Sequence, residues 1–275
     1  MHRKHQRYLV LIALLLGSLG LTNVQAATVG SLNNYNLEKP MIISHRGSPL
    51  NYPEHSFAGY NFAIKNGSKF IEQDIILSKD NQLVVSHDNN LKKNTSKNIT
   101  ITGSTYKQIK KAKLKNGEKL HTLKDVMGRY KNKINYVIET KKTAKGGYKL
   151  EKGIIAVIKK HKLQSNVILQ SFSLASLNYM HKKLPKAPEM LLVNGANSNY
   201  TYLEKRLKTL PRAVNIVAVY TPGVTSENAK LIHKYHRKAV GYVLDGHAAY
   251  VNEILSDFDG LFTDDTKQAV SYFGE

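Results

Sequence analysis

Little more than Lys79-Asp80-Asn81-Gln82 joins the apolar run 70–77 to the apolar run 83–87, whereas most other apolar runs in the chain are separated by a segment of helical length. A parallel crossover needs about a dozen residues or more, so these two runs must form an antiparallel hairpin. Strand candidates stand at 41–44, 70–77, 83–87, 136–139, 167–170, 190–193, 216–220, 239–244 and 260–263. Helical patterns lie between most of them, at 56–65, 123–130, 151–161, 174–182, 202–210, 226–236 and 248–255, with Ser226 expected as a cap. Strands alternating with helices make parallel βα units. Setting aside the hairpin's return strand leaves the eight parallel strands that close an α/β fold of the (β/α)8 TIM-barrel type.

The hairpin also implies a register. With Asp80 and Asn81 as a two-residue turn, Lys79 faces Gln82 and Asp74 faces His87. Alternation with period two then puts Glu72, Asp74 and His87 on one face. Polar groups stand at other strand ends too: His45 and Arg46 in IISHRG, Asp88 after His87, Glu139 and Lys141 in YVIETKK, and Gln170 in VILQS. Barrel enzymes keep their chemistry at the carboxyl ends of the strands. Three carboxylates from two parallel strands favour a hard divalent cation bound through oxygen, and a chain without cysteine is a poorer host for zinc. Such an ion, with Arg46 and Lys141, would stabilise the charge that gathers on a phosphodiester under attack, while His45 and His87 supply a base and an acid.

Other polar residues carry plainer readings. Glu54 is expected to be structural. Gln170 either lines the site or stabilises a loop, and Asp264 and Asp265 either orient the site or cap a terminal turn. His121, His161, His181, His233, His236 and His247 read as surface or loop residues.

The N-terminus has its own pattern. Arg3, Lys4 and Arg7 precede an apolar stretch at 8–21, and Val24-Gln25-Ala26 offers small residues at a cleavage spacing, so 1–26 reads as a secretory signal peptide and 27–39 as a polar leader. The apolar stretch is shorter than the roughly 20 residues a bilayer core requires, so no stable membrane span is expected after cleavage. The protein is expected to be secreted or held at the cell envelope, with a signal of Gram-positive type. The chain carries 41 Lys and Arg against 20 Asp and Glu, all but three of the cations beyond the signal segment, and such a surface attracts polyanions. For an exported protein these are anionic envelope polymers rather than nucleic acid.

The motifs HRG followed by PEHS, IEQDI, VVSHDNNL, TLKDV, IETKK and GLFTDD, in this order from about residue 41 to 264, resemble those of the glycerophosphodiester phosphodiesterases. The resemblance implies a barrel over 40–275 with a small insertion after the HD strand, filled here by 89–122. It also implies His45 and His87 as the acid/base pair, Glu72, Asp74 and Glu139 as ligands of one Ca2+ or Mg2+ ion, and Arg46 and Lys141 on the phosphate. The implied reaction is metal-dependent hydrolysis of small glycerophosphodiesters, and in this setting teichoic acid-type polymers, to sn-glycerol 3-phosphate and an alcohol. Two positions depart from the family pattern: His55 replaces the asparagine of PEN, and Tyr242 stands near the place of a tryptophan, which implies a different wall for the leaving group. Two alternatives remain, a catalytically silent barrel serving as an adhesin or polymer-binding protein, and a related lyase that releases a cyclic phosphate.

Overall fold

Eight parallel strands close on themselves in the computed structural model, which describes residues 28–141 and 147–274. The strands are β1 (Met41–Ser44), β2 (Phe70–Leu77), β3 (Leu83–Val85), β4 (Asn135–Thr140), β5 (Val167–Ser171), β6 (Glu189–Val193), β7 (Val214–Tyr220), β8 (Lys238–Tyr242) and β9 (Gly260–Thr263). Their order is β1-β9-β8-β7-β6-β5-β4-β2, with β1 pairing β2 to complete the ring, and β3 pairs antiparallel with the last residues of β2 on the edge away from β4. Around the ring run α1 (Phe57–Lys65), α4 (Leu123–Tyr130), α5 (Lys149–His161), α6 (Leu174–His181), α7 (Tyr200–Lys208), α8 (Ser226–Lys234), α9 (His247–Leu255) and α10 (Thr266–Phe273). The short helices α2 (Lys92–Thr95) and α3 (Tyr106–Ile109) belong to the segment after the hairpin. No helix among the described residues is long and apolar enough to cross a membrane, and the expected signal segment, 1–26, lies outside them.

Period-two alternation sorts the strand residues into two cores. Met41, Ile43, Phe70, Val137, Ile168, Met190, Ile216, Val240 and Phe262 fill the barrel interior, while Ile42, Ile71, Ile138, Leu169, Val217 and Leu261 face the helices. The leader is less polar in place than in sequence. Val29 and Tyr35 are buried against the barrel floor, Tyr35 meets Phe70 edge-on with ring centres 5.6 Å apart, and the Tyr35 carbonyl accepts from Lys238 Nζ at 2.6 Å.

The hairpin forms, but its register is one residue away from the two-residue-turn expectation. Leu77 pairs with Leu83 and Ile75 with Val85. The loop has three residues because Ser78 and Gln82 close it: Ser78 N donates to Gln82 O at 2.9 Å, Gln82 N donates to Ser78 Oγ at 2.8 Å, and Asn81 takes the left-handed conformation, φ 62°. Ser86 N, not His87, therefore bonds to Asp74, at 2.9 Å on its carbonyl. A one-residue shift would send His87 to the opposite face had β3 continued. It stops at Val85, and the chain turns His87 back over the barrel mouth.

One face of β2 is layered along its length. Phe70 joins the interior core, Glu72 and Asp74 stand above it, and Ile76, beyond the mouth, packs with Val84 on Leu91, Ile101, Ile109 and Leu120 of the 89–122 segment. That lobe is tied to the barrel by Glu118, whose carboxylate accepts from Phe57 N at 2.7 Å and Ala58 N at 3.0 Å in the first turn of α1. An anion there is favoured by the helix terminus and its free amides. The cap of α8 is Thr225 rather than Ser226, its side chain accepting from Asn228 N. His121 is buried rather than superficial, stacked on Phe57 with ring centres 3.6 Å apart and bonded to Glu118 at 3.0 Å.

Glu253 on α9 is fully buried, and neither carboxylate oxygen has a hydrogen-bond partner among the described residues. Burial, reinforced by the charge of Asp259, pushes its pKa from 4.5 up to about 8. A raised acid pKa stabilises the fold below the unfolded value and loses that contribution as pH climbs toward the folded one. Glu253→Gln should therefore melt about 4 °C or more above the parent at pH 9 and close to it at pH 5. Equal melting temperatures of the two proteins at pH 9, measured by circular dichroism, would contradict this.

Candidate active site

The parallel register assembles the site. Asp74 on β2 is paired with Glu139 on β4, and Glu139 with Gln170 on β5, so three inward side chains form one row across adjacent strands. Glu72 lies one inward step below Asp74. On the other side β1 ends at Ser44, and His45 N continues the ladder by donating to Thr263 O at 3.0 Å. Arg46 then leaves the strand in the left-handed region, φ 52°, so that its backbone N donates to Glu72 Oε2 at 2.9 Å. Lys141 follows β4 and places Nζ 2.9 Å from Asp74 Oδ1 and 3.0 Å from Glu139 Oε1. All eight residues expected at the site, His45, Arg46, Glu72, Asp74, His87, Glu139, Lys141 and Gln170, line one cavity of about 170 Å3 at the carboxyl mouth of the barrel. Phe172, Leu192, Tyr242 and Phe262 give its apolar side.

His45 is fixed from both sides. Its Nδ1 is 2.6 Å from Asp264 Oδ1, and its Nε2 accepts from Arg46 Nε at 3.1 Å. The tautomer that satisfies both carries the proton on Nδ1 and a lone pair on Nε2. The two terminal aspartates thus divide the two roles open to them: Asp264 orients His45, whereas Asp265 caps α10 by accepting from Gln268 N at 3.1 Å. His87 lines the same cavity, with Nδ1 2.9 Å from Asp88 Oδ1. Burial lowers its pKa, and Lys141 and Arg46 lower it further against the opposing pull of Asp74.

The carboxylates have unequal environments. Burial would raise Asp74, but the hydrogen bond from His55 and the charges of Lys141 and Arg46 overcome it and hold Asp74 well below the usual range. Glu72 is pushed well up by burial, then by Asp74 and Glu139. Burial and the charge of Asp74 push Glu139 up to about 8. Three buried acids therefore share two local cations, Arg46 and Lys141, and the raised Glu72 and Glu139 show that the group has room for a further cation. Gln170 donates Nε2 to Glu72 Oε1 at 3.2 Å and leaves its own buried Oε1 without a partner among the described residues. An oxygen-rich donor set with more acids than local cations and a spare amide oxygen fits a hard divalent cation.

The position that sequence reasoning underrated is His55. It is buried, with Nε2 3.1 Å from Asp74 Oδ2 and Nδ1 2.9 Å from the Tyr60 hydroxyl, which also lies 3.1 Å from the Glu72 carbonyl oxygen. Among the described residues, the acid and histidine ligand atoms lying within 4.8 Å of one another as a group of three belong to His55, Glu72 and Asp74, while Glu139 is held by Lys141. His55 Nε2 holds Asp74 in place, and the ring stands with Glu72 and Asp74 in the group that could hold an ion. The signal was visible as a departure from PEN, but nothing in the sequence shows the left-handed turn, φ 59°, that folds the ring inward. Glu54 is structural as expected, bonding Arg46 Nη1 at 2.9 Å and Asn94 of the lobe at 3.0 Å.

Comparison with known proteins places the chain in a family and its fold among solved barrels. The model of the glycerophosphoryl diester phosphodiesterase family matches residues 45–268. A glycerophosphodiester phosphodiesterase of Bacillus subtilis (strain 168) is 34% identical over 92% of this chain and 94% of its own length. Among solved structures, a glycerophosphodiester phosphodiesterase from Thermotoga maritima superposes with TM-score 0.69 at 23% identity, covering 85% of this chain and 98% of the other. An Oleispira antarctica phosphodiesterase in complex with the product sn-glycerol-3-phosphate does so with TM-score 0.72 at 21% identity, covering 86% and 97%. At these identities the two structures speak for the barrel itself.

Proposed function

The chain belongs to the glycerophosphoryl diester phosphodiesterase family, and from that premise we propose that this phosphodiesterase cleaves glycerophosphodiesters to sn-glycerol 3-phosphate and an alcohol by paired-histidine acid/base catalysis. The observation that carries the reading is the convergence of two histidines, two cations and three carboxylates on one cavity. In the first step the glycerol hydroxyl adjacent to the ester attacks phosphorus and expels the alcohol as a cyclic phosphate forms. We assign the base to His45, whose Nδ1 proton is held by Asp264 and whose Nε2 lone pair, to which Arg46 Nε donates, is released to the hydroxyl when Arg46 turns to the phosphate. His87, which lines the same cavity, delivers a proton to the departing oxygen. Water then opens the cyclic phosphate with the proton movements reversed. Arg46 and Lys141 hold the phosphate, and the side formed by Phe172, Leu192, Tyr242 and Phe262 excludes water from the reacting bonds. Glu72, Asp74 and Glu139 would hold one divalent ion, Ca2+ or Mg2+, which draws charge from the nonbridging oxygens when bound.

The net charge of +21 supports a further extension, to anionic glycerol phosphate polymers of the teichoic acid type. The basic, apolar and small-residue pattern of 1–26 supports action outside the cytoplasm, in a secreted or envelope-associated protein. Phosphorus NMR of glycerophosphocholine turnover tests the reaction. Glycerol 3-phosphate should appear in the presence of the ion, stop with chelator, and form without accumulation of a five-membered cyclic phosphate. Accumulated cyclic phosphate would make the protein a lyase, and binding without turnover a silent barrel.

A further inference from the structure

The large apolar side chains that stay exposed are unevenly spread over the barrel. Among the described residues there are eight, and seven of them stand at or after the carboxyl ends of strands. Leu50 and Tyr52 come after β1, Tyr148 after β4, Phe172 after β5, and Tyr200 and Tyr202 after β6, while Tyr220 is the last residue of β7. The eighth, Leu255, ends α9 on the opposite face. Single exposed apolar residues need no explanation, but a group gathered on one face marks a contact surface. The rings after β4 to β7 are neighbours: Phe172 shares one cavity with Tyr148, another with Tyr202, and the reaction cavity with Tyr220. Tyr148, Tyr200 and Tyr202 do not line the reaction cavity, so holding the substrate there does not account for them. The connections after β5, β6 and β7, at 172–173, 194–199 and 221–225, contain no charged residue. At their border stand Lys149, exposed in the first turn of α5, and Arg206 of α7, which shares a cavity with Tyr148 and another with Tyr202.

We propose that this half of the barrel mouth docks on a lipid surface bearing anionic head groups, with the rings of Tyr148, Phe172, Tyr200, Tyr202 and Tyr220 in the head-group layer. A tyrosine suits that layer because its body is apolar and its tip is polar. Uncharged connections enter it without stripping water from a charge. Lys149 and Arg206, beside the rings, meet the lipid phosphates, and the net charge of +21 adds attraction at longer range. The presentation of the rings argues against other occupants. A sugar or a base stacks on an open ring face. One face of Tyr148 is covered by Tyr179, with ring centres 4.2 Å apart and planes 10° from parallel. Tyr220 packs over Gly195, where an added Cβ would come within 2.9 Å of its ring, and is tilted against Tyr242. These rings offer edges and hydroxyls, which a head-group layer accepts. A second copy of the chain across a twofold axis would set the basic border against itself. Docking in this pose turns the reaction cavity toward the lipid surface.

The chain has no tryptophan, so a single introduced one reports its own surroundings. In the full chain, Tyr202→Trp should shift its emission to the blue, and be quenched by brominated acyl chains, on vesicles of phosphatidylcholine with one-quarter phosphatidylglycerol. Leu255→Trp on the opposite face should show neither, which separates docking by the mouth from attachment through the apolar stretch at 8–21. Adding Tyr148→Ser and Tyr200→Ser to the Tyr202→Trp protein should weaken the docking measured by that quenching about tenfold. Arg206→Gln, or high salt, should weaken it on the mixed vesicles and have little effect on pure phosphatidylcholine. Turnover of soluble glycerophosphocholine by the Tyr148→Ser, Tyr200→Ser protein should change less than about twofold, since neither ring lines the reaction cavity. A Tyr202→Trp emission unmoved by the mixed vesicles, or equal shifts at positions 202 and 255, would overturn the docking surface. So would a shift given by a soluble glycerol phosphate polymer and not by vesicles.

Discussion

His45→Ala lowers kcat/KM for a glycerophosphodiester by about 10²- to 10⁴-fold, the range for loss of a general acid or base, and His87→Ala falls in the same range. For His45 the expectation has a structural control. Asp264 contributes its effect through the Nδ1 contact at 2.6 Å, so Asp264→Asn should cost less than His45→Ala and little in the doubly substituted protein. Steady-state kinetics of the two single variants and the double variant measure this. A double variant slower than His45→Ala by the full effect of Asp264→Asn would show that Asp264 acts elsewhere. Folding should be little affected, since His45 lies at the barrel mouth with 16% of its side chain exposed.

The second large effect concerns the ion. Glu72→Gln should weaken Ca2+ or Mg2+ binding by at least about a hundredfold, because it removes a charged oxygen from the centre of the donor set. The same substitution should raise the melting temperature in chelator, since Glu72 is buried beside Asp74 and Glu139 and its charge is repelled by both. Binding and stability thus move in opposite directions, which a merely damaged fold would not do. Titration calorimetry and thermal unfolding with and without ion give both readouts. His55→Ala should weaken the ion about tenfold by freeing Asp74, and His55→Asn, which restores a short donor at that place, should recover part of the loss. A Glu72→Gln protein that still gains the full ion-dependent rise in melting temperature contradicts the assignment.

The barrel could be read from the sequence because its signal is periodic and local. Each of the nine strands lies where an apolar run stands, and the short link after β2 was enough to separate the one antiparallel strand from the eight parallel ones. The site could be read for a related reason. In a closed parallel barrel the last inward residues of adjacent strands must meet, so Asp74, Glu139 and Gln170 had little freedom to be apart. What escaped was set by single backbone conformations. The hairpin register turned on the left-handed Asn81 and the Ser78 hydroxyl, and the place of His87 turned on the early end of β3. His55 and Arg46 both occupy left-handed turns that side-chain patterns do not announce. Nor does alternation reveal which of two neighbouring aspartates points back to a histidine 219 residues away.

The central claim is that acids from β2 and β4 jointly hold one ion beneath the phosphate. Anomalous diffraction from crystals of the His45→Ala protein, soaked with Mn2+ and a glycerophosphodiester, locates that ion directly. The account predicts one strong peak within about 2.5 Å of carboxylate oxygens of Glu72, Asp74 and Glu139, with the diester phosphate beside Arg46 and Lys141. A peak elsewhere, or a phosphate bound with Glu139 still closed on Lys141 and no ion between the acids, would contradict it.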